Sequence, residues 1–142
     1  MLVVSIFLAL VSFFAPNPDK GKVIVHITDI RSSDGVIAIT IFKGGEGFPE
    51  DEKKAYKKLI VPISGGKAIA VFDDLPYGEY GVIYMHDENN NGKMDFNFIH
   101  IPKEGYGASN NAKASFGPPK YEDAKIILKQ STMQITVKTT YF

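Results

Sequence analysis

An all-β antiparallel sandwich of about seven strands is the fold class that this sequence predicts. Three observations lead there. From residue 22 onward, apolar side chains recur with a period of two in short segments, which is the period of a strand with one buried face. Gly, Pro and Asn stand between those segments, as tight turns require. The strongest helical candidate is a single turn around Glu50 to Tyr56.

The chain begins with a leader at residues 1–18. Met1 to Phe14 read MLVVSIFLALVSFF, without a charge, followed by Ala15-Pro16-Asn17-Pro18. That run is shorter than the ~20 apolar residues that cross a bilayer core. The expectation is therefore an export signal or hydrophobic leader, no stable membrane span after its removal, and a single sandwich domain over 19–142.

The strands follow in order. Residues 22–30 set Val23, Val25 and Ile27 on one face, with His26 and Thr28 on the other. Residues 35–43 place Ile37, Ile39 and Ile41 opposite Val36, Ala38, Thr40 and Phe42, apolar on both faces, so this strand is expected to be central. The segments 57–63, 67–72 and 79–86 alternate in the same way, parted by Gly65-Gly66 and Pro76-Tyr77-Gly78. Two more, 123–129 and 132–141, close the chain. The stretch Asp74-Leu75-Pro76-Tyr77-Gly78-Glu79-Tyr80 resembles the turn into a strand found in transthyretin-like sandwiches, and the strand count suits a transthyretin-like or immunoglobulin-like architecture.

Composition narrows the function. In 142 residues, 16 Lys and Arg balance 16 Asp and Glu, so no net field recruits nucleic acid or an anionic membrane surface. With no Cys, disulfides, thiolate metal sites, a thiol nucleophile and a cysteine-linked lipid are excluded. A hydrophobic share of 44% argues against a disordered chain.

One long irregular loop, 87–121, is expected between the fifth and sixth strand segments. It holds Pro102, Pro118 and Pro119 together with repeated Gly and Asn. Connections of that length are uncommon unless they bind something or fold on themselves. Its first part, Asp87-Glu88-Asn89-Asn90-Asn91-Gly92-Lys93-Met94-Asp95, puts oxygen side chains at positions 1, 3, 5 and 9 and Gly at 6 of a calcium-type loop. Alternate residues of such a loop converge on one point, and a hard cation takes oxygen ligands there. Asp87, Asn89 and Asn91 would give side-chain oxygens, Lys93 its carbonyl, and Asp95 a carboxylate, for a weak Ca²⁺ site. The twelfth position is Phe98 rather than Glu, so a further ligand would come from Asn97, Glu104 or Glu122. The alternative is an Asn-Gly turn held by Asx hydrogen bonds without metal.

Several segments together resemble a catalogued family. They are His86-Asp87-Glu88-Asn89, Asn91-Gly92-Lys93, Ile101-Pro102-Lys103-Glu104-Gly105-Tyr106-Gly107, Ser109-Asn110-Asn111-Ala112 and Gly117-Pro118-Pro119-Lys120-Tyr121-Glu122-Asp123-Ala124, with Gly47-Phe48-Pro49 upstream. This pattern is similar to domain of unknown function 2141, a family of small exported bacterial proteins. The resemblance implies a secreted or periplasmic β-sandwich with no established activity. His100 departs from the Gly more usual there before Ile-Pro.

The remaining candidates have bland counterparts. His86 and His100 with a carboxylate would make a zinc set, but strand and loop histidines more often serve hydrogen bonding; His26 is expected to face solvent. Ser109 beside Asn110-Asn111 reads as a capped turn, and no G-x-S-x-G elbow is present. Gly44-Gly45-Glu46-Gly47 lacks the Lys-Ser/Thr of a phosphate loop. Phe96, Phe98, Tyr106, Phe116 and Tyr121 are expected to fold back as a satellite core under the long loop. If exposed, they would instead offer a face to a protein, peptide or carbohydrate. The functional expectation is an exported, noncatalytic binding or structural module; the alternatives are a small periplasmic metal-dependent hydrolase and a subunit of a cell-surface assembly.

Overall fold

A computed structural model describes residues 19–142, and the expected leader at 1–18 lies outside the described residues. The strands are β1 (Lys20–Thr28), β2 (Val36–Lys43), β3 (Lys57–Val61), β4 (Ala68–Pro76), β5 (Gly78–Asp87), β6 (Tyr106–Ala108), β7 (Ile126–Leu128) and β8 (Thr132–Lys138). They form two sheets. One has the order β4-β1-β8; the other has the order β3-β2-β5-β6, with β7 also on β5. Between them lies the core predicted by the period of two: Val23, Val25 and Ile27 of β1 meet Ile37, Ile39 and Ile41 of β2, with Phe72, Tyr80, Val82 and Tyr84. The β-sandwich is the fold.

Four details differ from the sequence expectation. The described residues hold eight strands, because β6 arises inside the 87–121 loop, where three residues are too few to show an alternation. The segment 123–129 divides into a helical turn, α1 (Tyr121–Ala124), and β7. The last strand ends at Lys138, after which Thr140 bridges Tyr106. Finally, β1 pairs with β4 antiparallel but with β8 parallel, so the sandwich is not wholly antiparallel. The turn expected near Glu50 is a short 3-10 helix, Glu52–Lys54, capped by the Asp51 side chain.

The central position expected for β2 is observed, between β3 and β5. Its second apolar face is buried too: Ala38, Thr40 and Phe42 face away from the inter-sheet core yet are scarcely exposed. Phe48 packs edge-on against Phe42, with centroids 5.6 Å apart, and against Tyr121 at 5.8 Å. Gly81 of β5 makes room for both, since a Cβ there would stand 3.0 Å from ring atoms of Phe48 and Tyr121. Aromatic pairs of this geometry add about 0.5–1.5 kcal/mol beyond their burial. Loops therefore build a third layer over the five-stranded sheet.

β6 and β7 share one edge of β5, pairing at Ile83–Met85 and Gly78–Tyr80. Ser109 fills the gap between them. Its hydroxyl accepts from Val82 N at 3.0 Å and donates to Ala124 O at 2.5 Å, so a side chain continues the ladder where no strand runs.

Candidate functional site

The calcium-type loop leaves β5 at Asp87, whose side chain is 3% exposed. Its two oxygens accept from Asn91 N at 3.1 Å and Gly92 N at 2.8 Å, so the backbone winds around the carboxylate. Gly92 has φ 76°, a left-handed conformation that Gly adopts at no steric cost. Asn89 Oδ1 accepts from Asn91 N at 3.3 Å, and Asn91 Oδ1 from Lys93 N at 3.1 Å. Both amide NH₂ groups then donate to Asp95, at 2.7 Å from Asn89 and 2.9 Å from Asn91. Of the five predicted residues, Asn89 and Asn91 thus converge on Asp95, while Asp87 holds the backbone of Asn91 and Gly92 and Lys93 gives its N–H to Asn91 rather than a carbonyl to the centre. What the geometry displays is an Asx-bonded turn.

Would this set suit a hard cation? Among the described residues, no three His, Cys, Asp or Glu side chains gather to hold a metal. A cation here would rest on the Asp87 and Asp95 carboxylates with neutral oxygens for the rest, a donor set suited to Ca²⁺ rather than Zn²⁺. Of the three further ligands considered, Glu104 reaches the loop, whereas Asn97 caps the next turn and Glu122 pairs with Lys125. Glu104 is 4% exposed and works as a buckle. Its Oε1 accepts from Glu88 N at 2.9 Å and its Oε2 from Asp95 N at 3.2 Å, tying the loop's two ends together. Arg31 adds a second tie, with Nη2 2.6 Å from Glu88 Oε1 and 3.0 Å from Lys103 O, and its guanidinium 4.4 Å from the Tyr141 ring centroid.

The zinc pair is not assembled. His86 is completely buried, with Nε2 2.7 Å from Asp34 O and Nδ1 2.8 Å from the Tyr141 hydroxyl. A carbonyl only accepts, so Nε2 carries a proton, and Nδ1 is engaged by the Tyr141 hydroxyl; neither nitrogen is left for a metal. His100 is exposed and lies beside Phe96. His26 is half-buried, 2.8 Å from Gln134 Oε1. Ser109, expected in a capped turn, is a buried ladder element instead.

The aromatic residues divide. Tyr121 folds back onto Phe48 as expected, and Tyr106 stacks on Phe142 at 5.7 Å. Phe96, Phe98 and Phe116 do not form a satellite core, and all three are exposed. The reason lies underneath: Ala38, Thr40, Ile83 and Met85 floor an open groove of about 770 Å³ on the outer face of the five-stranded sheet. Phe96, Ile101, Phe116 and Phe142 are among its walls. The 44–56 loop contributes Pro49, Glu50 and Glu52 at its margin.

The family described as "Uncharacterized protein conserved in bacteria (DUF2141)" matches residues 25–136. The chain belongs to that family. No curated protein and no solved structure matches it. The matched span of this DUF2141 chain contains the loop, the buckle Glu104 and most of the groove. His100 has φ 60°. His is one of the few non-Gly residues tolerated in that conformation.

Two site features went unread in the sequence. Arg31 carries no motif and sits far from the loop along the chain, so only the fold brings it there. The groove floor did leave a signal: β2 is apolar on both faces, which required a cover on the second face.

Proposed function

We propose that this chain is an exported, noncatalytic binding module. The groove takes a ligand with an apolar face, and the 87–95 loop is ordered by Ca²⁺. The observation carrying this reading is the groove: aromatic walls stand exposed on a loop whose backbone is held by Asp87, Glu104 and Asn97. Apolar side chains on a rigid frame are the composition of a preformed ligand site. Export is supported by the uncharged apolar run at Met1–Phe14. The noncatalytic part is supported by His86 and Ser109, whose polar atoms are already engaged inside the fold.

Calcium would act by exchange of partners. In the turn, two amide NH₂ groups face Asp95; half a rotation of each presents its oxygen instead. The cation then replaces the NH₂ groups in neutralising Asp95, at the expense of two Asx bonds, which agrees with weak binding on the order of 10⁻⁴ to 10⁻³ M. The test is calorimetric titration of Ca²⁺ into chelator-stripped protein, with anilinonaphthalene sulfonate fluorescence as a probe of the groove. Saturable heat lost in Asp87→Ala/Asp95→Ala, and probe fluorescence reduced by Phe96→Ala and Phe116→Ala, are expected. Absence of heat overturns the ion reading, and a probe signal indifferent to both Phe variants overturns the groove.

A further inference from the structure

Asn91-Gly92 is the one place in the chain where Asn precedes Gly; the other six Asn stand before Pro18, Asn90, Asn91, Phe98, Asn111 and Ala112. That pairing carries a reaction of its own. The backbone nitrogen of a following residue attacks the Asn side-chain carbonyl, and Gly leaves the approach open because it has no Cβ to crowd it. Nothing lies within 4 Å of where a Cβ at Gly92 would stand, and both residues are exposed, so water and base reach the pair. We propose that Asn91 is a self-modification site, converted to a carboxylate when the 87–95 turn opens and kept intact while it is closed. The inference goes beyond the proposed function and depends neither on a ligand in the groove nor on a cation.

In the open turn, Gly92 N gives its proton to solvent base and bonds to Asn91 Cγ. The Cγ–Nδ2 bond breaks, and the leaving nitrogen takes a proton from water and departs as ammonia. A cyclic imide remains. Water then adds to one of its two carbonyls and reopens the ring. Cleavage at Cγ leaves an aspartate at position 91; cleavage at the main-chain carbonyl leaves an isoaspartate, with the backbone running through the former side chain. Water is consumed, ammonia is released, and no oxidant or cofactor is needed.

The closed turn opposes this at both reacting groups. Gly92 N donates to Asp87 Oδ2 at 2.8 Å, and Asp87 is buried. Removing the Gly92 proton would set a second negative charge against that carboxylate, which like-charge repulsion opposes. The same bond fixes the Gly92 peptide, so the nitrogen cannot turn toward Cγ without giving it up. The target amide is held too: Asn91 Nδ2 donates to both Asp95 oxygens at 2.9 Å, and Oδ1 accepts from Lys93 N at 3.1 Å. Conversion is also one-way. An acidic side chain at 91 has no NH₂ to give Asp95, and two carboxylates face each other instead, so the protecting turn does not re-form. The loop thereby keeps a record of having opened.

The test follows position 91 by peptide mass in the full chain, with chelator present so that its outcome is separate from that of the calcium reading. Samples are aged at mildly alkaline pH, and replacement of NH₂ by OH is scored in the folded parent, in the parent held in urea, and in Asp87→Ala. Conversion should be fastest in urea, slowest in the folded parent, and about tenfold or more faster in Asp87→Ala than in that parent. Asn97, which precedes Phe98, should stay unchanged throughout. Because Asp87 is buried, hydrogen exchange of the β2 amides is read in the same samples, and acceleration at Asn91 should come with β2 protection retained. The converted folded chain, separated by its added negative charge, should have lost protection of the Gly92 amide. No conversion in urea, equal conversion at Asn97, or a folded parent as fast as the urea sample would overturn the proposal. So would a rate unaltered by Asp87→Ala or raised only where β2 protection is also lost, or a converted chain whose Gly92 amide stays protected.

Discussion

Replacing Glu104 by Gln should loosen the long loop at one identifiable hydrogen bond. Both carboxylate oxygens accept from backbone N–H groups, Glu88 N at 2.9 Å and Asp95 N at 3.2 Å, and the side chain is 4% exposed. Gln offers one accepting oxygen and one NH₂ group. The oxygen should keep the shorter bond to Glu88, so the NH₂ meets Asp95 N, donor against donor. Losing a bond to a charged acceptor costs about 1.5–3 kcal/mol, and a stranded donor adds to that; removing a buried charge offsets part. The expected net is about 2 kcal/mol, or roughly 8 °C in melting temperature for a domain of this size. Calorimetry gives the first quantity and amide hydrogen exchange the location: Asp95 should lose protection while Glu88 keeps it. A melting temperature within a degree or two of the parent, or equal loss at both amides, would refute the buckle.

Three further outcomes are expected. Gly107→Ala should be severely destabilising, by about 3 kcal/mol or more, since its Cβ would land on the Tyr84 ring, which is buried in the core; chemical denaturation measures it. Burial pushes the Tyr80 phenol up to about 12, so the unfolded chain ionises first as pH rises. That stability is fully present below about pH 10 and is lost toward pH 12, a change of about 2–3 kcal/mol. Tyr80→Phe should flatten this alkaline decline, followed by the tyrosinate absorbance and circular dichroism together. Calcium at about 10 mM should stabilise the protein by about 1.4–2.7 kcal/mol for a dissociation constant of 10⁻³ to 10⁻⁴ M, an increment that chelator or Asp87→Ala removes in a thermal-shift assay.

Where the chain states its intentions locally, the sequence was legible. The alternation of Val23, Val25 and Ile27 and the doubly apolar β2 gave the core and the central strand, because side-chain period is a property of a few consecutive residues. The spacing of Asp87, Asn89, Asn91 and Asp95 likewise marked a converging turn. What was not legible depends on distant partners. β6 is three residues long and exists because β5 has an edge to offer. Ser109 looked like a turn cap, yet its neighbours in space are Val82 and Ala124. Phe96 and Phe116 read as core by composition, but the fold already has Ala38 and Thr40 beneath them with open space between.

The parallel pairing of β1 with β8 has a consequence for how the molecule comes into being. These strands lie almost at opposite ends of the sequence, with Val23 beside Met133 and Ile27 beside Val137. A chain synthesised N-terminus first must hold β1 against β4 with its other side unpaired until the final strand has emerged. Through that interval β1 offers an open row of backbone donors and acceptors to any extended segment, including one from another copy. Completion is thus a late, all-or-none event: loss of only the seven residues of β8 would leave the first strand of the sandwich permanently unfinished.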